Sequence, residues 1–204
     1  SRDRDRCIAS AQRYGVDAAR ADPDWQALLE AERDRPDGAE IVAIATPNHL
    51  HFPIAERAIS LGFHVISDKP AAIRLAEALS LKTTIDRQRA FYGLTFVYTG
   101  YPLVREAREI CLSGKLGAIR KVTVEYSQGW LSDAVERKGD RQAAWRVDPA
   151  QAGPGGCIAD IGIHAFNIAE FVSGHRVAEL CAQLSTVVQG RVLDDDCNIL
   201  LRFD

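Results

Sequence analysis

The sequence predicts an α/β protein in which a truncated, doubly wound parallel domain precedes an α+β domain with a mainly antiparallel sheet. In the first half, helical and strand patterns alternate, which is typical of parallel strands joined by right-handed crossovers. After about Gly117 the strand patterns acquire one apolar and one polar face, which favours an antiparallel sheet covered on one side. The 204 residues leave room for two domains, which we expect to span residues 1–117 and 118–204.

The first half carries the pattern of a parallel sheet. Ile41–Ala45 is a continuous apolar run, the signature of a strand buried on both faces. A helix is predicted from about Phe52 to Leu61 and a short strand over His64–Ser67. A longer helix that carries Leu75 then precedes a third predicted strand over Phe91–Tyr98.

The second half shows strands of another kind. Apolar and polar residues alternate in Val122–Tyr126, Leu180–Leu184 and Ile199–Phe203, so each predicted strand has one solvated face. A helix is predicted between the first two, from about Cys157 to Val172. The long stretch Trp130–Gly156 is rich in Gly, Asp and Arg, and we expect a loop that carries function.

Composition excludes several classes of protein. Hydrophobic residues make up 47% and charged residues 26%, which excludes disorder as the overall state. The formal net charge of −3 gives no argument for nucleic acid or an anionic membrane. The sequence contains five scattered cysteines, which we expect to be free thiols in a reducing cytoplasm: Cys7, Cys111, Cys157, Cys181 and Cys197.

Polar residues follow two of the predicted parallel strands, at the end where open sheets bind ligands. Thr46–His51 follows the first strand, and Asp68-Lys69-Pro70 follows the second. Considered alone, the first segment is a turn with a helix cap and Lys69 a solvated lysine. His49 and His51 form an HxH pair, but it opens a helix and has no obvious third metal ligand, so we expect no metal.

Asp160 and His164 are four residues apart near the start of the predicted helix of the second half, and we expect them on one helical face. The alternative is a surface contact, but the helix is otherwise mostly apolar, so charged groups there require a reason. Histidine is also well suited to move a proton near neutral pH. The preceding run Gly153–Gly156 either cradles a phosphate or lets the backbone approach another segment closely.

A family resemblance rests on several motifs taken together. They are TPNHLH at Thr46–His51, DKP at Asp68–Pro70, YTGYP at Tyr98–Pro102, GKLGAIRKVTVEY at Gly114–Tyr126, WRVDP at Trp145–Pro149 and GPGGCIADIGIHAFNIAEFVSG at Gly153–Gly174. The last stretch, following a DKP at a strand end, is the most specific. In order and over essentially the whole chain, they resemble the glucose-fructose oxidoreductase / inositol dehydrogenase / MocA (Gfo/Idh/MocA) family of nicotinamide-dependent oxidoreductases.

The resemblance implies a Rossmann domain that binds NAD or NADP, and oxidation of a sugar or cyclitol hydroxyl to a ketone. Lys69 would polarise the reacting hydroxyl, His164 would accept its proton, and Asp160 would hold neighbouring substrate hydroxyls. The residues implied to line the nicotinamide end of the cofactor are Thr46, Pro47, Asn48, His51, Asp68 and Lys69. Those implied to face the substrate are Tyr98, Trp145, Arg146 and Asp160.

The sequence also departs from the family pattern. The opening strand and GxGxxG turn are absent, Asp68 stands where the family commonly has Glu, and there is no methionine. We therefore expect a fragment, cut at both ends, that is itself inactive. The implied partners are a small sugar or cyclitol and further copies of the full-length parent, with no nucleic acid and no membrane.

Other functions stay open at this point. A glycosidase of the same family, which uses bound NAD in a transient oxidation, is one alternative to the dehydrogenase. A non-catalytic sensor of sugars or dinucleotides is another, although the presence of Lys69, Asp160 and His164 argues against it. A metal hydrolase built on His49, His51, Asp160 and His164 is the third alternative.

Overall fold

The computed structural model describes residues 3–204, and the chain divides into two compact units. Of the described residues, the first unit comprises those up to Thr46 together with Leu50–Leu94, and the second comprises Pro47–His49 and Thr95–Asp204. The main change from one unit to the other therefore follows Leu94. The domain boundary after Gly117 stays a prediction.

The first unit is a three-stranded parallel sheet with helices. Its elements are α1 (Arg4–Arg13), α2 (Trp25–Arg33), β1 (Ile41–Ile44), α3 (His51–Ser60), β2 (His64–Ser67), α4 (Leu75–Gln88) and β3 (Tyr92–Leu94). The strand order is β1-β2-β3, with Ile41 opposite His64 and Val65 opposite Tyr92. The predicted parallel α/β architecture is therefore confirmed.

The core of this unit lies on one side of the sheet. Ile59, Val65 and Leu81, from α3, β2 and α4, are at most 2% exposed. The other face is open, since Ile41 is 51% and Ile66 39% exposed. Burial of the first strand on both faces, predicted from its apolar run, is therefore wrong, because within residues 3–204 helices cover one face of this sheet and leave the other open.

The third strand is shorter than predicted. It ends at Leu94, which lies opposite Ser67, the last residue of β2. Beyond that point β2 offers no further partner residue, and the chain enters a 3₁₀ turn over Val97–Gly100. A strand needs a neighbour for its backbone hydrogen bonds, so the apolar pattern alone overestimated its length.

The second unit combines helices with an antiparallel strand pair. Its elements are α5 (Pro102–Leu112), α6 (Arg141–Arg146), α7 (Pro149–Ala152), a π turn (Ile158–Gly162), α8 (Ile163–Ser173), β4 (Val177–Ser185) and β5 (Asp196–Phe203). Leu180 lies opposite Leu201 and Leu184 opposite Cys197, which confirms the predicted antiparallel pairing. α5 packs against α8.

The alternating segment Val122–Tyr126 is not a strand in the structure, so that prediction is wrong. Residues 118–128 form no β-ladder with any described strand. Much of this segment instead lines a cavity of about 1120 Å³, together with β5 and residues of α8. Its alternation indicates the capacity for a strand, and a strand forms only where a second backbone lies alongside.

Burial in the strand pair follows the predicted alternation only partly. β5 alternates between exposed and half-buried residues along its whole length. In β4, by contrast, Leu180 and Leu184 are both exposed, so the expected burial of its apolar face is wrong. The reason is that, among the described elements, the π turn packs against β5 and has no comparable contact with β4.

No helix within residues 3–204 is long and apolar enough to cross a membrane. The five cysteines are free, as predicted. Over the same residues, no cluster of three or more His, Cys, Asp or Glu side chains has the arrangement to hold a metal ion.

Candidate functional site

The carboxyl ends of β1 and β2 are joined by one histidine. His51, at the start of α3, is 1% exposed. Its Nδ1 lies 2.7 Å from the carbonyl oxygen of Pro70, and its Nε2 lies 2.8 Å from that of Thr46. The structure therefore brings Thr46, His51 and the Asp68–Pro70 segment together at this edge, where the Asp68 N–H also donates to the Ile44 carbonyl at 2.8 Å.

The same edge presents an unsatisfied polar atom. The Thr46 Oγ1 is buried and has no hydrogen-bond partner among the described residues. A buried hydroxyl without a partner is costly, so this position suits a bound group that supplies one. The residues present at this edge, with partly buried Lys69 and exposed Asp68 beside them in the chain, therefore fit a polar cofactor group.

Two neighbouring residues have other contacts. Asn48 is 6% exposed and donates from Nδ2 to the Ala152 carbonyl at 3.0 Å. His49 Nδ1 lies 3.3 Å from the Gln151 carbonyl. Pro47, Asn48 and His49 belong to the second unit. Both nitrogens of His51 face carbonyl oxygens, so the HxH pair is not arranged as a metal site and the metal-hydrolase alternative loses its support.

The helix of the second unit begins with a π turn. The Ile163 N–H bonds to the Ile158 carbonyl, five residues back, where an α-helix would bond four residues back. Asp160 lies in this turn, and His164 lies in the first turn of α8. The expected α-helical face shared by the two residues is therefore replaced by a local widening of the helix, a feature found frequently at functional sites.

Asp160 forms part of a cluster with aromatic residues. Its Oδ2 accepts from Arg146 Nε at 3.1 Å, and the Arg146 Nη1 donates to the carbonyl and side chain of Gln142. The Arg146 guanidinium carbon lies 4.2 Å from the Trp145 ring centroid and 5.5 Å from that of Trp130. The predicted substrate residues Trp145, Arg146 and Asp160 are thus neighbours, and Trp130 joins them.

His164 lies among aromatic rings. It is 8% exposed, and its ring centroid is 4.8 Å from that of Tyr98, 5.9 Å from Phe96 and 6.2 Å from Tyr126. The Tyr98 and Tyr126 hydroxyls hydrogen-bond to each other. The ring is therefore held by packing, which fixes the direction in which its nitrogens point.

A cavity of about 310 Å³ lies beside Asp160. Its wall includes the following residues: Trp130, Leu131, Arg146, Asp160, Val188 and Leu193. This volume is at the lower end of the roughly 300–1,000 Å³ that small-molecule pockets span. An aromatic face beside carboxylate and guanidinium groups can bind the C–H and O–H groups of a polyol.

The glycine-rich run is explained by a close approach of two backbones. A Cβ on Gly156 would lie 2.0 Å from the Asp194 carbonyl oxygen, so only glycine fits. The Asp194 carboxylate accepts from the N–H groups of Gly156 at 2.7 Å and Ile158 at 2.8 Å. The Cys157 N–H donates to the Asp194 carbonyl at 2.8 Å. Close backbone approach is therefore confirmed, and the phosphate-cradle alternative is wrong because these donors are already used.

The sequence interpretation did not include three of the residues around the site. Tyr126 was placed in a strand, and Trp130 only in a functional loop. Asp194 lies in an acidic run that is usually a solvated surface. The glycine-rich run signals that some segment approaches closely, but it does not identify Asp194 as that neighbour.

Comparison with known proteins covers almost the whole chain. Residues 1–96 match the model described as "Oxidoreductase family, NAD-binding Rossmann fold". Residues 104–204 match the model described as "GFO/IDH/MocA C-terminal domain".

Similar proteins agree with these matches. An uncharacterized oxidoreductase, YfiI of Bacillus subtilis, is 31% identical over 93% of this chain and 49% of its own length. Levoglucosan dehydrogenase of Pseudarthrobacter phenanthrenivorans is 30% identical over 90% of this chain and 44% of its own length. The chain thus spans about half the length of these relatives.

Solved structures show the same relationship. An inositol dehydrogenase homolog from Azotobacter vinelandii, complexed with NAD⁺, matches with a TM-score of 0.95 and 34% identity over 100% of this chain and 53% of that chain. A levoglucosan dehydrogenase in complex with NADH and levoglucosan matches with a TM-score of 0.82 and 27% identity, over 100% of this chain and 53% of that chain. Two models of one family therefore match successive halves of a chain with this fold, and the protein belongs to the GFO/IDH/MocA family of oxidoreductases.

Proposed function

We propose that the protein is an NAD(P)-dependent dehydrogenase that oxidises a secondary hydroxyl of a sugar or cyclitol. The observation that carries this proposal is the cavity of about 310 Å³ beside Asp160, on the same turn-and-helix segment that carries His164. A proton acceptor and a carboxylate on one short segment suit a hydroxyl that must lose a proton as hydride leaves.

The pocket chemistry supports a neutral polyol as substrate. Arg146 is paired with Asp160 and bonded to Gln142, so its positive charge is already balanced within the pocket. Trp130 offers an aromatic face to C–H groups, and carboxylate oxygens accept hydrogen bonds from hydroxyls. Two similar proteins, a levoglucosan dehydrogenase and an inositol dehydrogenase homolog, are named for substrates of this class.

The remaining roles concern the first unit. We assign Thr46, His51, Asp68 and Lys69 to the nicotinamide end of the cofactor, with Pro47 and Asn48 alongside in the chain. The unsatisfied Thr46 Oγ1 supports this assignment because it requires a partner. When bound, the nicotinamide supplies the hydride acceptor. Lys69 hydrogen-bonds the reacting hydroxyl and stabilises developing negative charge on its oxygen, and His164 takes the proton.

The proposal is tested on the full-length protein that carries this chain. NAD⁺ or NADP⁺ is supplied with a panel of neutral polyols that includes myo-inositol and levoglucosan, and reduced nicotinamide is followed by absorbance. His164→Asn should lower kcat by roughly 10²–10⁴-fold, the range for losing a general base. His175→Asn is the matched control, because that histidine is exposed and lies after α8.

A second pair of variants tests the lysine. Lys69→Met should lower kcat by a similar order, whereas Lys82→Met, on the exposed side of α4, should not. The double variant of Lys69 and His164 should lose far less than the product of the single losses, because both act on one oxygen. If His164→Asn turns over at the normal rate, the assigned base is wrong. If glycosides are cleaved without net reduction of NAD⁺, the protein is the glycosidase.

A further inference from the structure

We infer that Asp194 is a positioning residue for the catalytic segment, acting through the π turn that carries Asp160 and the helix that carries His164. The inference rests on the proposed function for the roles of Asp160 and His164. Asp194 lies in the loop before β5, 38 residues after Gly156 in the chain.

The carboxylate of Asp194 is the cap of the segment. Gly156 N–H donates to Oδ1, and Ile158 N–H donates to Oδ2. The Cys157 thiol donates to Oδ2 at 3.1 Å, and its N–H donates to the Asp194 carbonyl. Three successive N–H groups at the start of a helical segment are therefore satisfied by one residue, where solvent or local side chains usually serve.

This cap also fixes where the segment begins in space. The first residue of the π turn, Ile158, is bonded directly to Asp194, and Asp160 follows two residues later. The Asp160 N–H donates to the Gly156 carbonyl at 3.0 Å, so the residue bound to Asp194 is also bound to Asp160. A shift of the Gly156–Ile158 backbone would therefore be transmitted to the Asp160 carboxylate.

The fit allows little slack. A Cβ on Gly156 would meet the Asp194 carbonyl carbon at 3.1 Å and the Leu193 Cβ at 3.0 Å, so the two backbones are already in contact. The thiol of Cys157 is held in the same arrangement, since burial and the neighbouring Asp194 carboxylate raise its pKa and keep it a neutral donor. The close backbone contact and the hydrogen bonds to Asp194 together hold the Gly156–Ile158 backbone in place.

The functional consequence is a predicted loss of turnover without loss of cofactor binding. Misplacement of a catalytic group by about 1 Å can cost roughly 10²-fold in rate. Asp194→Asn keeps the size and one acceptor oxygen but presents an NH₂ group to one of the two N–H donors. We expect it to lower kcat by about 10- to 100-fold.

Asp24→Asn is a matched control from another helix cap, because the adjacent Asp195 lines the cavity beside Asp160 and contacts Arg191. The Asp24 carboxylate also caps a helix, accepting from the Gln26 N–H at 2.9 Å at the start of α2, which lies in the first unit. Asp194→Glu is a third variant. It keeps a carboxylate on a longer side chain, so its kcat should be higher than that of Asp194→Asn. A merely structural role for Asp194 would make the two asparagine variants equivalent in kcat at equal stability.

The experiment measures kcat and KM, NADH affinity and the ring signals of His164 by NMR in the full-length protein, with His164→Asn used to assign those signals. We expect Asp194→Asn to lower kcat, leave NADH affinity within about twofold and shift the His164 signals, while Asp24→Asn leaves kcat and the His164 signals unchanged. Unmoved His164 signals with normal kcat in Asp194→Asn would overturn the inference. If the wild type oxidises no polyol, the proposed function fails, and the NMR comparison still decides the positioning role.

Discussion

Arg191 joins two loops in the second unit, and its removal should destabilise that unit strongly. Its side chain is only 4% exposed, and Glu136, its main partner, is 12% exposed. The guanidinium donates to both Glu136 oxygens, at 3.2 and 3.0 Å, and to the carbonyls of Leu131 at 2.7 Å and Asp133 at 2.8 Å. It also contacts Asp195 at 3.4 Å.

Arg191→Met keeps much of the volume and removes every donor. Two partly buried carboxylates and two carbonyls then lose a partner; breaking a fully buried ion pair costs about 3–5 kcal/mol, and we expect the lower end of that range here. The stability of Arg191→Lys should lie between that of the wild type and that of Arg191→Met, because a lysine keeps the positive charge but lacks the planar guanidinium fork. The matched double variant with Glu136→Leu should recover most of the loss, since it leaves no uncompensated charge at that position.

The assay is urea unfolding followed by tryptophan fluorescence, because Trp130 and Trp145 lie in this unit. The effect should depend on pH. The Arg191 hydrogen bonds lower the pKa of Glu136 below its ordinary 4.5, so its contribution is complete above that pH. This stabilising contribution of Glu136 is lost as the pH falls through its lowered pKa. The difference in the free energy of unfolding between the wild type and Arg191→Met should therefore become smaller at acidic pH. A difference in the free energy of unfolding below about 0.5 kcal/mol between the wild type and Arg191→Met at neutral pH would refute the reasoning.

Two further predictions concern the segment at the start of the π turn. Gly156→Ala should destabilise the protein by about 1–3 kcal/mol relative to Gly129→Ala, because a Cβ meets backbone at the first position and nothing within 4 Å at the second; equal unfolding midpoints for the two variants would contradict the close approach. Thiol alkylation at neutral pH, read by mass spectrometry, should modify exposed Cys181 first and Cys157 and Cys197 only after unfolding, because burial raises the pKa of both and only the thiolate reacts. Equal rates for Cys157 and Cys181 would contradict it.

Local signals predicted the parallel half of the fold well. The strand His64–Ser67 has the predicted bounds, because a short apolar run between a helix stop and a polar segment leaves little choice. The errors in length and burial come from partners that lie elsewhere in the chain. Phe91–Tyr98 is cut short where β2 ends, and Val122–Tyr126 forms no ladder because no described strand lies beside it. The alternation of apolar residues predicts which face of a strand would be buried. Whether the strand forms depends on a second backbone that lies beside it.

The candidate site was predictable where a motif carries its own chemistry. Asp160, His164 and Arg146 stand in such motifs, and the structure places Asp160 beside Arg146. Tyr126 contacts the His164 ring from a segment that was expected to serve only the sheet. Asp194 could not be chosen from sequence, since nothing distinguishes it from Asp195 and Asp196 until its contact with Gly156 is seen.

The π turn at Ile158–Gly162 makes this segment sensitive to chain length in an unusual way. It holds one residue more per turn than the α-helix that follows, and each residue of an α-helix advances the side chains by about 100°. Deleting Ala159 would let the turn relax to α-helical form and would rotate Asp160 by about 100° around the helix axis relative to Ile158. Substitution at this position would be mild by comparison. The angle between the carboxylate and the imidazole is thus encoded by a residue count, and insertions or deletions here should be far less tolerated than changes of side chain.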